Sequence, residues 1–461
     1  MKKNLNIIIL GLAALSLSSC KTLYGKYERP DVKTSGIVRD VASDTDTLAV
    51  KDTTTFANIP WRSVFTDPQL QGLIEKGLAN NVNLLNAALN VQMAEAQLKA
   101  AKLAFLPSFA FSPQGTISSW DGNAATKVYS LPISASWNAD LWGNLLSQKR
   151  SAQVALLQTK DYQVSVQTNL IANMYYSLLM LDKQVELVND MEKLTKETWE
   201  TMKVLKDAKM GYRSTSVQAA ESNYYAVLTQ KTDLMRQIRE TENSLSLLIG
   251  DQAHSIARGK LETQSLPTTF STGVGIQLLN NRADVHAAEM NLAQCFYGIE
   301  TARSKFYPSI TISGTGAFTN SAGAGIVNPG KWLLSAVGSL VQPIFRNGTI
   351  IAGLKVAKMQ YEQAYNTWQN TVLKAGSEVS NALVLYNYSD EKSKVEAKRV
   401  AVLEQNVEDT RKLMSEAGGS YLEVIQAQSS LLNVQLSKVA DDFYKMQAVV
   451  NLYYALGGGA K

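Results

Sequence analysis

Apolar residues recur alternately four and three positions apart from Leu354 to Met414, through Tyr361, Tyr365, Trp368, Val372, Ala375, Val379, Ala382, Tyr386, Val400, Leu403 and Val407. Apart from Lys358, the polar members of the series come late, at Ser389, Ser393, Glu396 and Thr410. One register held this long is a coiled-coil seam, not the broader stripe of a globular helix. At ~1.5 Å per residue it predicts a helix of roughly 90 Å. Such a helix belongs to a rod, a fibre or the wall of a long tube.

Elsewhere the period falls to two. From Val128 to Leu141, Tyr129, Leu131, Ile133, Ala135, Trp137, Ala139 and Leu141 alternate with Ser130, Ser134, Ser136, Asn138 and Asp140. Pro107 to Trp120 reads as the partner strand, with Phe109, Phe111 and Ile117 opposite Ser108, Gln114, Thr116 and Ser118, and Asp121-Gly122-Asn123 closes the hairpin. A second pair is predicted at Ser309 to Phe318, where Ile310 and Ile312 oppose Thr311 and Ser313, and at Trp332 to Phe345, where alternation is weaker. A strand of about 10 residues crosses a bilayer obliquely. Soluble sandwich strands alternate too, but Phe105 and Trp142 near one end and Trp120 and Tyr129 near the other suit interfacial girdles.

Helical patterning begins after Trp61, with Asp67 as cap and Pro68 in the first turn, and a second helix follows Asn80-Asn81 to about Ala104. Another spans Asn144 to about Ala208, with two neighbouring seams, one through Leu178, Leu181, Val185, Val188, Trp199 and Met202, the other through Leu187, Met191 and Leu194. Two seams require two helical neighbours, as in a ring. After a turn at Lys209 to Tyr212 a helix runs to Gly250, and Gly250 to Gly275 reads as loop. The plan then restarts: a helix from about Ile276 to Lys305, the second hairpin, the long helix, a turn at Ala417-Gly418-Gly419, and a last helix with its seam from Ile425 to Tyr453. Pro107 answers Pro308, Gly143 answers Gly348, Ser214 answers Ser420 and Gly250 answers Gly457, so the chain reads as a tandem repeat of 61–275 and 276–461, with hairpins at 107–142 and 308–345.

Composition changes the picture little: 45% hydrophobic and 18% charged residues indicate an ordered protein. The net charge of +5, or +3 without Lys2 and Lys3, forms no basic stripe, so nucleic acid is not indicated. Residues 1–19 read as a signal peptide, and Leu17-Ser18-Ser19-Cys20 resembles the bacterial lipobox, in which the cysteine receives lipid. Lys21, rather than aspartate, follows it, which implies the outer membrane. Residues 20–60 read as an extended tether. The other cysteine, Cys295, sits in a helical pattern and is expected to be a buried apolar group. No run approaches a membrane helix, so any crossing must use strands.

Two hairpins supply four strands, too few to close a barrel, and open edges cannot lie in lipid. Several chains must therefore share one: two would give eight strands and a plugged lumen, three would give twelve and a water-filled path. Here the residues carry a resemblance. Trp61, Phe65, Asp67-Pro68, Asn80-Asn81, Asp140-Leu141-Trp142-Gly143, Gln342-Pro343-Ile344-Phe345, Asn281-Arg282-Ala283-Asp284-Val285, Phe306-Tyr307-Pro308-Ser309, Tyr421-Leu422-Glu423-Val424 and Ala455-Leu456-Gly457-Gly458-Gly459 are similar, in order and spacing, to the TolC-like outer-membrane factor family in its lipoprotein branch.

The resemblance implies a mostly α protein with transmembrane β-strands: a homotrimer with a twelve-stranded β-barrel and a coiled-coil α-helical barrel, lipid-anchored in the outer membrane and reaching into the periplasm. It would be the passive exit duct of a tripartite efflux pump for small molecules, drugs or metals, working with a periplasmic adaptor and an inner-membrane transporter. Gly211, Tyr212, Arg213 and Ser214, with Ala417, Gly418, Gly419 and Ser420, would form the tip where the adaptor docks. Glu423 and Gln426 match an acidic ring at the closed entrance, with one carboxylate replaced by an amide, and Ala283 stands where the family usually has proline. Ser130, Ser134, Ser136, Asn138 and Asp140 would line the lumen, and Phe109, Phe111, Ile133, Trp137, Ile310 and Ile312 would face lipid. Ser420 to Glu423 also reads as a capping box, which is compatible with a gate role.

No constellation supports catalysis or a cofactor. His254 and His286 have no nearby cysteine, and His286 lies two residues from Asp284, a poor helical ligand spacing. Two alternatives stay open: the channel of a protein secretion system, and a coiled-coil adhesin, which would leave the repeated hairpins unexplained.

Overall fold

A computed structural model of the chain describes residues 25–32, 37–39, 56–119, 121–165, 169–208, 212–267, 282–319, 331–416 and 420–459. The leader, Cys20, Trp120, Gly211 and Ala417 to Gly419 lie outside them. In chain order the main elements are α1 (Trp61–Val64), α2 (Pro68–Asn80), α3 (Val82–Leu103), β1 (Ser108–Phe111), β2 (Gln114–Ser118), β3 (Thr126–Ala139), α4 (Asn144–Ser165), α5 (Asn169–Asp207), α6 (Ser214–Leu248), α7 (Ala283–Ser304), β4 (Ser309–Thr319), β5 (Lys331–Val341), α8 (Thr349–Glu416) and α9 (Tyr421–Ala455). The predicted long helix is real and slightly longer than its seam, at 68 residues.

The chain divides into two units, and the first gathers the described parts of residues 1–32, 89–160 and 287–370. It contains one antiparallel sheet in which β1 and β2 pair with β3, β3 with β4, and β4 with β5. The first predicted strand is interrupted, which corrects the continuous reading from Pro107 to Trp120. The register does not slip: Ser108 faces Ser136 and Gln114 faces Ser130, the same offset. The gap arises because Pro113 has no amide to give and Pro132 lies across from Ser112, leaving the bond from Ser112 N to Pro132 O at 3.2 Å. At the hairpin Asp121 and Gly122 both take positive φ, at 54° and 74°, as a tight turn that follows strand twist requires. The last strand stops at Val341, short of the predicted Phe345, because Pro343 breaks the ladder; Ile344 and Phe345 are exposed.

Residues 25–32 of the expected tether are extended yet pinned. Arg29 makes a bidentate pair with Glu289 of α7 at 2.6 and 2.8 Å, and Arg150 of α4 donates to the Gly25 carbonyl at 3.0 Å. Cys295, expected to be buried, is only half-buried, though burial still pushes its thiol up.

The second unit gathers the described parts of residues 33–88, 161–286 and 371–461. Asp67 caps α2 as predicted, accepting from Gln69 N at 2.8 Å. Asn81 ends α2 and starts α3: its side-chain oxygen takes the amides of Asn83 and Leu84, and its amide donates to Leu248 O at 2.6 Å. One apolar core joins Phe65, Leu70 and Ile74 to Tyr175, Tyr176, Leu178 and Leu179 of α5, to Leu245 and Ile249, and to Val450 and Tyr453 of α9. A second core joins Leu181, Val188 and Met191 of α5 to Val227 and Leu234 of α6, Val407 of α8, and Leu431 and Leu432 of α9. Residues of both predicted α5 seams are thus buried, each large side chain contributing about 1.5–3 kcal/mol.

Candidate functional site

The register sorts every strand residue onto one of two faces. Phe109 lies beside Ala135 and Phe111 beside Ile133; Trp137 lies beside Ile312 and Leu131 beside Phe318; Ile310 lies beside Leu340 and Gly316 beside Leu334. This face is apolar and open: Phe109 is 74% exposed, Ile133 58% and Leu334 81%. The opposite face carries Ser108 beside Ser136, Gln114 beside Ser130, Asn138 beside Thr311 and Ser339 beyond it, and Thr315 beside Ser134 and Ser335. Thr311 donates to the Asn138 side chain across it at 2.9 Å. Pairing assigns the weak pattern of β5 to faces: Leu334 and Leu340 fall with the apolar set and Ser335 and Ser339 with the polar one, while Leu333, Val337 and Val341 sit among the polar residues. An apolar face left this open on a folded chain requires a non-aqueous partner.

Aromatic residues crowd one end of the sheet. Trp137 donates its indole N–H to Phe105 O at 2.9 Å. Trp142 donates to Pro308 O at 2.6 Å and stacks on Tyr307 with ring centres 4.9 Å apart. Asp140 is not a strand residue, which corrects its place among the polar strand positions. Strand β3 ends at Ala139, and the Asp140 carboxylate accepts from the amides of Leu145 and Leu146 at the start of α4, at 3.0 and 2.8 Å. Negative charge is favoured there by the free amides of the helix end.

Of the two predicted tip turns, Tyr212, Arg213, Ser214 and Ser420 are described, and Gly211 and Ala417 to Gly419 lie outside the described residues. Met202, Ala220, Met414 and Val424 form a small core around which Trp199, Tyr212, Val217, Tyr421 and Ile425 pack. The Tyr212 hydroxyl donates to Met414 O at 3.2 Å, so the flanks of both turns meet. Glu423 and Gln426 are exposed, while Val424 and Ala427 turn inward and Gln428 donates to Thr198 at 2.8 Å. The expected capping box is absent. The Glu423 amide goes to the Ser420 carbonyl oxygen at 3.1 Å, and the Ser420 side chain accepts no helix amide.

Three buried polar clusters escaped the sequence reading. Arg258, in the stretch read as loop, binds Asp182 and Glu242; the Asp182 bond raises its guanidinium, burial opposes this, and Glu242 adds to the rise. Arg282 binds Asp284, Glu378 and Ala455 O; burial alone would lower it, but the two carboxylates outweigh that. Asp67 accepts from Tyr175 and Gln264, and the same Tyr175 hydroxyl accepts from Gly259 N. Only the Asp67-Pro68 and Asn281-Arg282-Ala283-Asp284 strings gave a signal for any of these. His286 Nδ1 lies 2.6 Å from Asp161 and His254 Nδ1 2.7 Å from Gln252 O. Among the described residues no three His, Cys, Asp or Glu side chains are grouped to hold a metal, and no helix is long and apolar enough to cross a membrane.

The arrangement has counterparts. The sequence profile described as outer membrane efflux protein matches residues 73–251 and 275–458. The cation efflux system protein CusC of Escherichia coli K12 is 26% identical over 462 residues, covering 97% of this chain and 98% of that one. The probable outer membrane lipoprotein SilC of Salmonella typhimurium is 24% identical, covering 96% of each. A crystal structure of CusC superposes with a TM-score of 0.82 at 22% identity, over 95% of this chain and 99% of that one. The open-state MtrE outer membrane channel of Neisseria gonorrhoeae gives 0.78 at 21% identity, over 95% and 98%. With both halves of the chain matched and the two-faced sheet in place, the protein belongs to the outer membrane efflux protein family.

Proposed function

We propose that three copies of this chain close a twelve-stranded barrel in the outer membrane, with their helices forming the conduit beneath it. The observation that carries this is the four-deep sheet whose two outer members, β1 with β2 and β5, pair with only one neighbour among the described residues. Backbone groups left unpaired in lipid cost several kcal/mol each, so other copies must complete the ladder. Phe109, Phe111, Ile133, Trp137, Ile310 and Ile312 then meet acyl chains, and Ser130, Ser134, Ser136 and Asn138 line the water path. The matched positive-φ glycines, Gly143 with Gly348 and Gly250 with Gly457, favour a tandem duplication with units at 61–275 and 276–461.

The conduit is the exit duct of a tripartite pump, passive in itself, with flux driven by an inner-membrane transporter reached through a periplasmic adaptor. The tip around Tyr212 to Ser214 and Ser420 is the adaptor's docking place, and the exposed Glu423 and Gln426 narrow the closed entrance. Cys20 carries the lipid anchor after removal of residues 1–19, a reading supported by the lipoprotein name of SilC. The cargo is a small solute, and the cation-efflux name of CusC favours metal cations.

Native mass spectrometry of the detergent-extracted protein tests the central statement. Trimers that conduct ions in a planar bilayer are expected; a stable monomer or dimer that conducts overturns it.

A further inference from the structure

The long seam turns polar where Glu396 takes an apolar position, and efflux does not account for that residue. It belongs to a cross-helix polar belt. Lys445 of α9 pairs with Asp390 of α8, Lys392 with Asp441 at 3.0 Å, and Ser393 donates to Asp442 at 2.6 Å. Within the belt two carboxyl groups are sunk in the seam, Glu396 at 7% and Asp441 at 3% exposure. Lys392 Nζ lies 3.0 Å from Asp441 Oδ1 and 3.9 Å from Glu396 Oε1, so both acids crowd one ammonium. The far oxygens, Glu396 Oε2 and Asp441 Oδ2, meet no donor among the described residues.

We infer that Glu396 and Asp441 share one proton, and that this proton is a pH-dependent latch between α8 and α9. Two ionised carboxylates here would leave two buried acceptors unsatisfied and two like charges facing a single, solvent-exposed lysine. One proton supplies the missing donor and removes one charge, the arrangement that facing buried acids adopt elsewhere.

Among the described residues the surroundings offer nothing that replaces the proton. On α8, Lys392 is the cation acting on Glu396; on α9, Ser437 gives it one hydrogen bond. Lys438 is held by Asp442, Lys445 by Asp390, and Lys183 of α5 by Glu186 and Glu262. Burial, then the Asp441 carboxyl, push Glu396 above the ordinary glutamate range, while Ser437 and Lys392 pull the other way without prevailing. A carboxyl raised in the folded state keeps a proton that the unfolded chain has lost. Stability therefore falls as pH climbs from the ordinary glutamate value through the raised one.

Glu396→Gln, whose amide donates at every pH, and Asp441→Asn test this in the full assembly. The melting temperature of the wild type should fall relative to both variants as pH rises from the ordinary glutamate value through the raised one. Infrared spectra of the wild type should contain a protonated carboxylic band that titrates above the ordinary glutamate range and is missing from Glu396→Gln. Parallel melting profiles in all three proteins overturn the latch. Where a variant does not assemble, the infrared titration is run on Glu300→Gln, which removes the other buried glutamate that burial pushes up: a carboxylic band that still titrates above the ordinary range upholds the shared proton, and its absence overturns it.

Discussion

Gly143 and Gly348 hold the same left-handed backbone, at φ 69° and 75°, one residue before the helix that follows each hairpin. Each carbonyl accepts the first helical amide, from Ser147 and from Ala352, at 2.9 Å in both cases. The chain thus leaves its sheet twice by the same turn, and glycine is needed because a Cβ penalises this region.

The cost of losing such a glycine depends on what surrounds it. At Gly250, φ is 73° and an added Cβ would lie 2.5 Å from Asn80 O; at Gly348 the space is open. Gly348→Ala should cost about 1–2 kcal/mol from backbone strain alone. Gly250→Ala should cost about 2–4 kcal/mol, since overpacking adds to the strain. Denaturant midpoints of the two variants check the order.

Tyr175 bridges two segments through one hydroxyl, so Tyr175→Phe leaves Gly259 N without its acceptor and takes a donor from Asp67. A loss of about 1–3 kcal/mol at neutral pH is expected. Burial pushes the Asp67 carboxyl up, but Tyr175, Gln264 and the amides of Gln69 and Leu70 hold it below the usual range. The stability this lends is present above the ordinary aspartate value and lost as pH falls through the depressed one. Acid unfolding curves should therefore be shallower in Tyr175→Phe than in the wild type.

Trp368 is fully buried, yet its indole N–H has no partner among the described residues. Trp368→Ala should cost about 3–5 kcal/mol. Trp368→Phe should cost much less than that, because the orphaned donor leaves with the ring that carries it. Thermal melts of both variants separate packing from hydrogen bonding.

Neighbours on β3 should differ in their access to water. In a Cys295→Ala background, cysteine at Ser136 should react with a membrane-impermeant maleimide and cysteine at Ile133 should not. Equal labelling of both would sink the assignment of lumen and lipid faces.

Glu423→Ala should raise leak through the closed channel, read as higher basal conductance in planar bilayers and greater vancomycin sensitivity of cells. Gln426→Glu, which returns the second carboxylate, should move both in the opposite direction. Unchanged values in both variants would remove these residues from the gate.

Much of this was legible along the chain because it is written in local periodicity. A 3.5-residue repeat names a coiled coil, and a two-residue repeat names a half-buried strand, before any partner is known. Asp67-Pro68 marked its helix start for the same reason, since a cap is satisfied within three residues. Ser420 to Glu423 had the same local grammar and failed, because a backbone carbonyl took the amide that the hydroxyl was expected to hold.

What the sequence determined by itself is the two-faced hairpins and the long helix, since each rests on residues a few positions apart. Tertiary structure alone decided the face of each β5 residue, the interruption at Pro113 opposite Pro132, and the partners of Arg258, Asp67 and Glu396. Those depend on groups that lie far apart in the chain and whose charges or free amides only become costly once folding removes water from around them.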